Sequence, residues 1–124
     1  MATEFSFSMP NYVPPISRRW LRYKIDVPIR VIAPKGDRIA IVPGRGNELN
    51  EGGMEVFGGL ELAIDEKVTI EFTPPYTGRP IRVRARVRNR RGYTYGIEFL
   101  LETLEDNENV DQFRSLLSAL GSRL

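Results

Sequence analysis

Eight consecutive residues, Ile81 to Arg88, alternate apolar and arginine without a break: Ile81, Val83, Ala85 and Val87 on one side, Arg82, Arg84, Arg86 and Arg88 on the other. A period of two is strand geometry, and a face this charged must look outward while the other is buried. Asn89-Arg90-Arg91-Gly92 reads as the turn of a hairpin onto a return strand, Tyr93 to Phe99. On that strand Glu98 comes across from one of the arginines and offsets part of their mutual repulsion.

The same period recurs upstream. Ile25, Val27, Ile29, Val31 and Ala33 form the apolar face of a first strand that starts at Tyr23, and Pro28 marks it as an edge strand or a bulged one. Pro34-Lys35-Gly36-Asp37 predicts a turn onto a second strand, Arg38 to Val42. Gly44-Arg45-Gly46 then reads as freed backbone before Asn47 to Asn50, and Gly52-Gly53 as a bend before a short strand, Met54 to Phe57. Beyond Gly58-Gly59, Leu60 to Leu62 lead into a turn near Asp65-Glu66, followed by a strand from Lys67 to Phe72 and a proline loop, Thr73 to Gly78. Six strands without an intervening helix predict an all-β fold, a six-stranded antiparallel β-barrel.

After the last strand Val110, Phe113, Leu116, Leu117 and Leu120 recur at helical spacing. Asn107 or Asn109 can cap the start of this amphipathic helix and Gly121 can end it. The first seventeen residues show no helical or strand period and carry Phe5, Phe7 and Tyr12 among Pro10, Pro14 and Pro15. They read as an extended arm, which three aromatics suit to docking on the barrel or on a partner. The expected organisation is an N-terminal arm over 1–16, a barrel over 17–101 and a helix over 102–124 packed on the barrel.

At 124 residues, 41% hydrophobic and 27% charged, the chain has the size and composition of one globular domain. It has no cysteine for a disulfide or thiolate metal site, no apolar run of membrane-spanning length, and no signal-peptide pattern at Met1-Ala2-Thr3-Glu4-Phe5. A cytoplasmic location away from the membrane is the expectation. Net charge is only +2, yet just three of the 18 basic residues are lysine, and the arginines cluster at 18–22 and 79–91. An anionic partner follows from that clustering, although any single arginine more commonly just solvates a strand face.

Catalysis finds little support. There is no histidine, no cysteine nucleophile, and the serines lie in the arm or the helix region. Glu48, Glu51 and Glu55 would form a carboxylate pair only by tertiary accident, and no calcium loop or phosphate-binding glycine loop of the nucleotide-hydrolase type occurs. The expectation is a binding protein without metal or cofactor.

Two segments carry the candidate site. Arg18-Arg19-Trp20-Leu21-Arg22 places two guanidinium groups four residues apart, able to fork onto phosphate oxygens or lie on a purine. Glu48-Leu49-Asn50-Glu51-Gly52-Gly53 follows some thirty residues later. The pair resembles the PilZ domain, whose members carry Arg-x-x-x-Arg ahead of the first barrel strand and (Asp/Asn)-x-Ser-x-x-Gly after the second. The closing segment Arg91 to Phe99 is similar to the family's last strand, and the resemblance spans about 17–101. It implies a six-stranded barrel with a flanking helix and a ligand, cyclic di-GMP, held between the motifs.

Carried over, Arg18 and Arg22 would grip phosphate and stack on guanine, while Glu48, Asn50 and Gly53 would form the second motif. Arg19 and Arg45 would add positive potential, and Trp20 either covers the barrel edge or offers a face to a guanine or an arginine. The second motif departs from the pattern, with Glu48 for Asp or Asn and Asn50 for Ser. An alignment starting at Asn47 would end on Gly52. The Glu48 alignment keeps the Gly-Gly-hydrophobic ending as Gly52-Gly53-Met54. Apart from the resemblance, this segment is also readable as a glycine turn with solvated side chains.

The first functional expectation is a cyclic di-GMP receptor module with a downstream protein partner. The alternative is a PilZ-like domain that binds no nucleotide and serves as a protein-interaction module. Least supported is a single-stranded nucleic-acid platform built on Arg82, Arg84, Arg86 and Arg88 with Tyr93 and Tyr95 as stacking surfaces.

Overall fold

The computed structural model describes residues 22–76 and 78–123, the last two by their backbone alone. Six antiparallel strands, β1 (Tyr23–Lys35), β2 (Arg38–Leu49), β3 (Gly53–Gly58), β4 (Lys67–Phe72), β5 (Ile81–Arg91) and β6 (Thr94–Phe99), precede one helix, α1 (Leu104–Leu120). They pair in the order β2-β3-β6-β5-β4-β1, and β1 also pairs with β2, so the sheet closes into a barrel. A two-residue strand, β7 (Ser122–Arg123), adds to the start of β1 beside Tyr23 and Lys24. Among the described residues no helix is long and apolar enough to cross a membrane.

The predicted faces fill the barrel. Ile25, Val27, Ile29, Val31 and Ala33 of β1 and Ile81, Val83, Ala85 and Val87 of β5 are all buried in one cluster, and each fully buried aliphatic side chain contributes about 1.5–3 kcal/mol. Two hairpins close on two-residue turns that begin with a glycine at positive φ, Gly36 (68°) and Gly92 (62°). Pro28 sits in a bulged strand rather than an edge strand, since the β1–β2 register shifts between Lys24 and Val27 and β1 has neighbours on both sides.

β2 corrects the sequence reading. It does not stop at Val42 but runs through Gly44-Arg45-Gly46 to Leu49. The glycines meet a steric need there: a Cβ on Gly44 would lie 2.3 Å from the Phe57 carbonyl oxygen, and one on Gly46 would lie 2.8 Å from the Met54 methyl. The long β2 is therefore what carries Glu48 to the site. β5 likewise continues to Arg91, and β6 starts at Thr94 rather than Tyr93.

The helix also starts earlier than apolar spacing indicates. Thr103, not Asn107 or Asn109, is the N-cap; its hydroxyl accepts from the Asp106 amide (2.9 Å), and the Asp106 carboxylate accepts from the Thr103 amide (3.1 Å). This reciprocal capping box satisfies two amide groups that a helix start otherwise leaves unpaired. Phe113 anchors the helix to the barrel, edge-on to Phe72 (6.4 Å between centroids) and Phe99 (5.8 Å). Gly121 ends it as expected.

The β5 arginines hold the fold together. Arg82 and Arg30 each donate to one oxygen of Glu71 at 2.7 Å, in a single row across β1, β4 and β5. Glu71 is only 4% exposed, and its carboxyl is held below its ordinary value of 4.5, chiefly by the Arg82 hydrogen bond and then by Arg30, against the opposing pull of burial. Arg84 docks the helix start. It forks onto Asp106 through Nε (3.0 Å) and Nη2 (2.8 Å), pushing that carboxyl far below the usual carboxylate range. Arg88 pairs with Asp65 (3.2 Å) and with Glu98 (3.3 Å), the acidic neighbour expected across the hairpin. Tyr95, offered by sequence as a stacking surface, is fully buried; its hydroxyl donates to the Leu60 carbonyl (2.7 Å) and accepts from the Leu62 amide (3.1 Å). That leaves a nucleic-acid platform on this face without one of its rings and with most of its arginines already paired.

Candidate ligand-binding site

Arg22 stands one residue before β1, so the hairpin pairing of β1 with the far end of β2 brings it to Glu48. Its Nε and Nη2 lie 2.7 and 2.6 Å from Glu48 Oε2. The β2–β3 register shifts between Gly46 and Glu48, and the extra residue is Asn47. A bulge of this kind turns neighbouring side chains to different sides. Glu48 reaches the cleft beside Arg22, whereas Asn47 lines a separate recess with Lys24, Ile25, Asp26 and Glu55, which Glu48 also borders.

The strand then turns through Asn50 to Gly53, closed by the Asn50 amide on the Gly53 carbonyl (3.0 Å) and by the Phe99 amide on Gly52 (2.9 Å). Gly53 lies so close to β6 that a Cβ there would sit 1.8 Å from the Ile97 carbonyl oxygen, while Gly52 faces open space. The glycine that the backbone requires is thus Gly53, the one on which an alignment starting at Glu48 ends. Arg114 of α1 clamps the outside of this turn, donating to the carbonyls of Asn50 and Glu51.

The resulting open cleft, about 480 Å³, is bordered by Arg22, Glu48, Asn50 and Gly53 together with Glu55, Arg88, Asn89 and Glu98. Four residues singled out by sequence therefore meet in one place. Arg45 does not join them, because its guanidinium is held on Asp26 (2.7 and 2.8 Å). Arg18, Arg19 and Trp20 lie outside the described residues. The described cleft carries one more carboxylate than guanidinium, Arg22 and Arg88 against Glu48, Glu55 and Glu98. Positive potential for an anion must come from the arginines that precede Arg22.

The profile of the PilZ domain matches residues 16–116 of this sequence. The chain belongs to the PilZ domain family. A solved structure, the PilZ domain of CeSA from a cellulose-synthesising bacterium, aligns with a TM-score of 0.63 at 20% identity, over 77% of this chain and 95% of that one, and so supports the six-stranded barrel with its C-terminal helix. No curated protein sequence matches.

Within this PilZ domain the departure at the second motif has a structural consequence. An aspartate at position 48 would be shorter by one carbon–carbon bond, about 1.5 Å, whereas Glu48 extends far enough to engage Arg22 directly. Arg114, Arg88, Asn89, Glu55 and Glu98 were not expected at the site from sequence. Arg88 and Glu98 were legible as outward-facing strand positions, but the role of Arg114 depends on a contact 64 residues away along the chain and leaves no local signal.

Proposed function

We propose that this PilZ domain is a receptor for cyclic di-GMP. The observation that carries the reading is the convergence of Arg22, Glu48, Asn50 and Gly53 on one open cleft, from segments that share no local sequence. Arg22 would transfer its guanidinium from Glu48 to a phosphate of the ligand, and Arg18 would supply the second fork. The freed Glu48 carboxylate would accept from the N1–H and N2–H of guanine, and the Asn50 amide would offer one donor and one acceptor beside it. Ordering the residues that carry Arg18 opposes part of the contact energy, which points to an affinity in the micromolar range. A cytoplasmic receptor acting on a downstream protein completes this reading.

One observation favours the alternative, a PilZ domain that binds no nucleotide and works as a protein-interaction module. The Arg22–Glu48 pair already satisfies the groups a nucleotide would need. Calorimetric titration with cyclic di-GMP, with GTP as the control, separates the two. Saturable heat with the cyclic dinucleotide alone supports the receptor; no heat from a folded domain supports the interaction module.

A further inference from the structure

At the end of β1 away from the cleft, the β1–β2 hairpin outruns the barrel. β2 pairs with β3 only from Gly44 to Leu49, and β1 pairs with β4 only from Arg30 to Ile32. Ala33 to Pro43 therefore pair only within the hairpin, and the outer edge of Arg38 to Pro43 makes no backbone hydrogen bond to another described element. Cross-strand neighbours share a face, so Ile32 with Ile41 and Pro34 with Ile39 all look outward. Ile39 and Ile41 are 68% and 52% exposed. Ile32, Pro34 and Ile39 border an apolar groove of about 260 Å³ that continues over Val68 to Leu100. An open strand edge flanked by exposed isoleucines invites a further strand.

The chain contains a matching one, five residues that the aperiodic arm as a whole conceals. Within the arm, Phe5, Phe7 and Met9 alternate with Ser6 and Ser8, a short period-two segment with one apolar face. Residues 10–21 connect it to Arg22 and reach about 40 Å when extended, against roughly 25–30 Å along β1 from Tyr23 to the level of Pro43 and Ile41. Pro10, Pro14 and Pro15 favour that extended path. Laid along the shortest route, the segment runs parallel to β2 and brings Glu4 beside Arg38, an exposed arginine with no ion pair among the described residues.

We propose that residues 4–9 of the same chain dock as an added strand on the free edge Arg38 to Pro43, with Phe5 and Phe7 covering Ile39 and Ile41. Docking fixes both ends of the segment that carries Arg18, Arg19 and Trp20, so the first-motif arginines ride on a tethered loop rather than a free tail. This holds whether or not the cleft binds a nucleotide.

The native chain has no cysteine, so introduced pairs report cleanly. In the full chain at low concentration, Phe7→Cys with Ile41→Cys should oxidise within one molecule at least about tenfold faster than Phe7→Cys with Asp111→Cys, whose partner lies exposed on α1. Independently of register, amides from Arg38 to Val42 should exchange roughly ten- to a hundredfold faster in a Phe5→Ser, Phe7→Ser variant than in the parent chain. Equal oxidation of the two pairs, cross-links formed only between two copies, or exchange unchanged by the double variant overturns the proposal.

Discussion

Arg82 and Arg22 each donate through Nε to a glutamate at 2.7 Å, yet the two ion pairs have opposite characters. Glu71, the acceptor for Arg82, is 4% exposed and shared with Arg30; Glu48, the acceptor for Arg22, is 22% exposed and borders an open cleft. Burial decides the difference. A buried carboxylate that loses its donor is left uncompensated, so the arginine cannot leave, whereas a carboxylate at the mouth of a cleft exchanges its partner for water or ligand at little cost. The Glu71 row is therefore scaffold, whereas Arg22 can exchange its partner.

The largest expected effect comes from breaking the buried side of that comparison. Glu71→Ala leaves Arg30 and Arg82 facing one another across a row of the barrel and should lower the melting temperature by about 5–10 °C. Affinity for cyclic di-GMP should stay within about twofold, checked by thermal denaturation and calorimetry on one preparation. A stable Glu71→Ala variant would show that the two arginines are equally dispensable to the fold.

Arg22→Ala tests the other side. Stability should change by less than about 0.5 kcal/mol, while cyclic di-GMP binding should weaken about ten- to a hundredfold, the worth of a charge-assisted hydrogen bond. Arg82→Ala is the proper control, since Arg88 borders the cleft itself. Equal losses of affinity in Arg22→Ala and Arg82→Ala would remove the distinction between the two pairs.

The comparison could be anticipated only in part. The alternation in β5 made both its faces legible, and β4 matched its predicted bounds, Lys67 to Phe72, because period two is a local property of the chain. What a buried carboxylate does to an arginine is not local. Arg30, Glu71 and Arg82 meet through three strands distant in sequence, so the outward face of β5 was legible but the carboxylate that holds Arg82 was not. β2 was read short because Gly44 and Gly46 look like breakers, when β3 and the Met54 side chain are what require them. The start of α1 escaped because Thr103 and Asp106 signal a helix through capping rather than apolar spacing. Of the candidate site, Arg22, Glu48, Asn50 and Gly53 were legible through the family resemblance, while the Arg22–Glu48 pair and the Arg114 clamp depend on folded geometry.

Acid titration sharpens the same contrast with a smaller effect. Glu71 and Asp106 have carboxyls lowered by folding, so below the ordinary carboxylate range the unfolded chain binds more protons than the folded one. Their contribution is complete at neutral pH, begins to fade as pH falls through about 4.5, and is lost as it drops through the lowered folded values. Glu71→Gln should flatten this acid limb of the stability curve, read by thermal denaturation from neutral to acid pH; a limb as steep as that of the parent chain would separate Glu71 from acid stability.

The smallest effect concerns the family departures. Glu48→Asp with Asn50→Ser shortens the reach to Arg22 without changing charge and should bind cyclic di-GMP as tightly as the parent or up to about fivefold more tightly, since a competing surface ion pair is worth about 1 kcal/mol at most. Weaker binding by a normally folded double variant would mean that Glu48 and Asn50 have a geometry of their own.

The central claim is that Arg22 exchanges Glu48 for the ligand while Arg82 and Arg84 keep their buried partners, Glu71 and Asp106. Following the arginine Nε–Hε resonances through a cyclic di-GMP titration tests it directly. The account predicts a saturable shift of the Arg22 signal with those of Arg82 and Arg84 unmoved; an unmoved Arg22 signal at saturating ligand, or shifts confined to the β5 arginines, would contradict it.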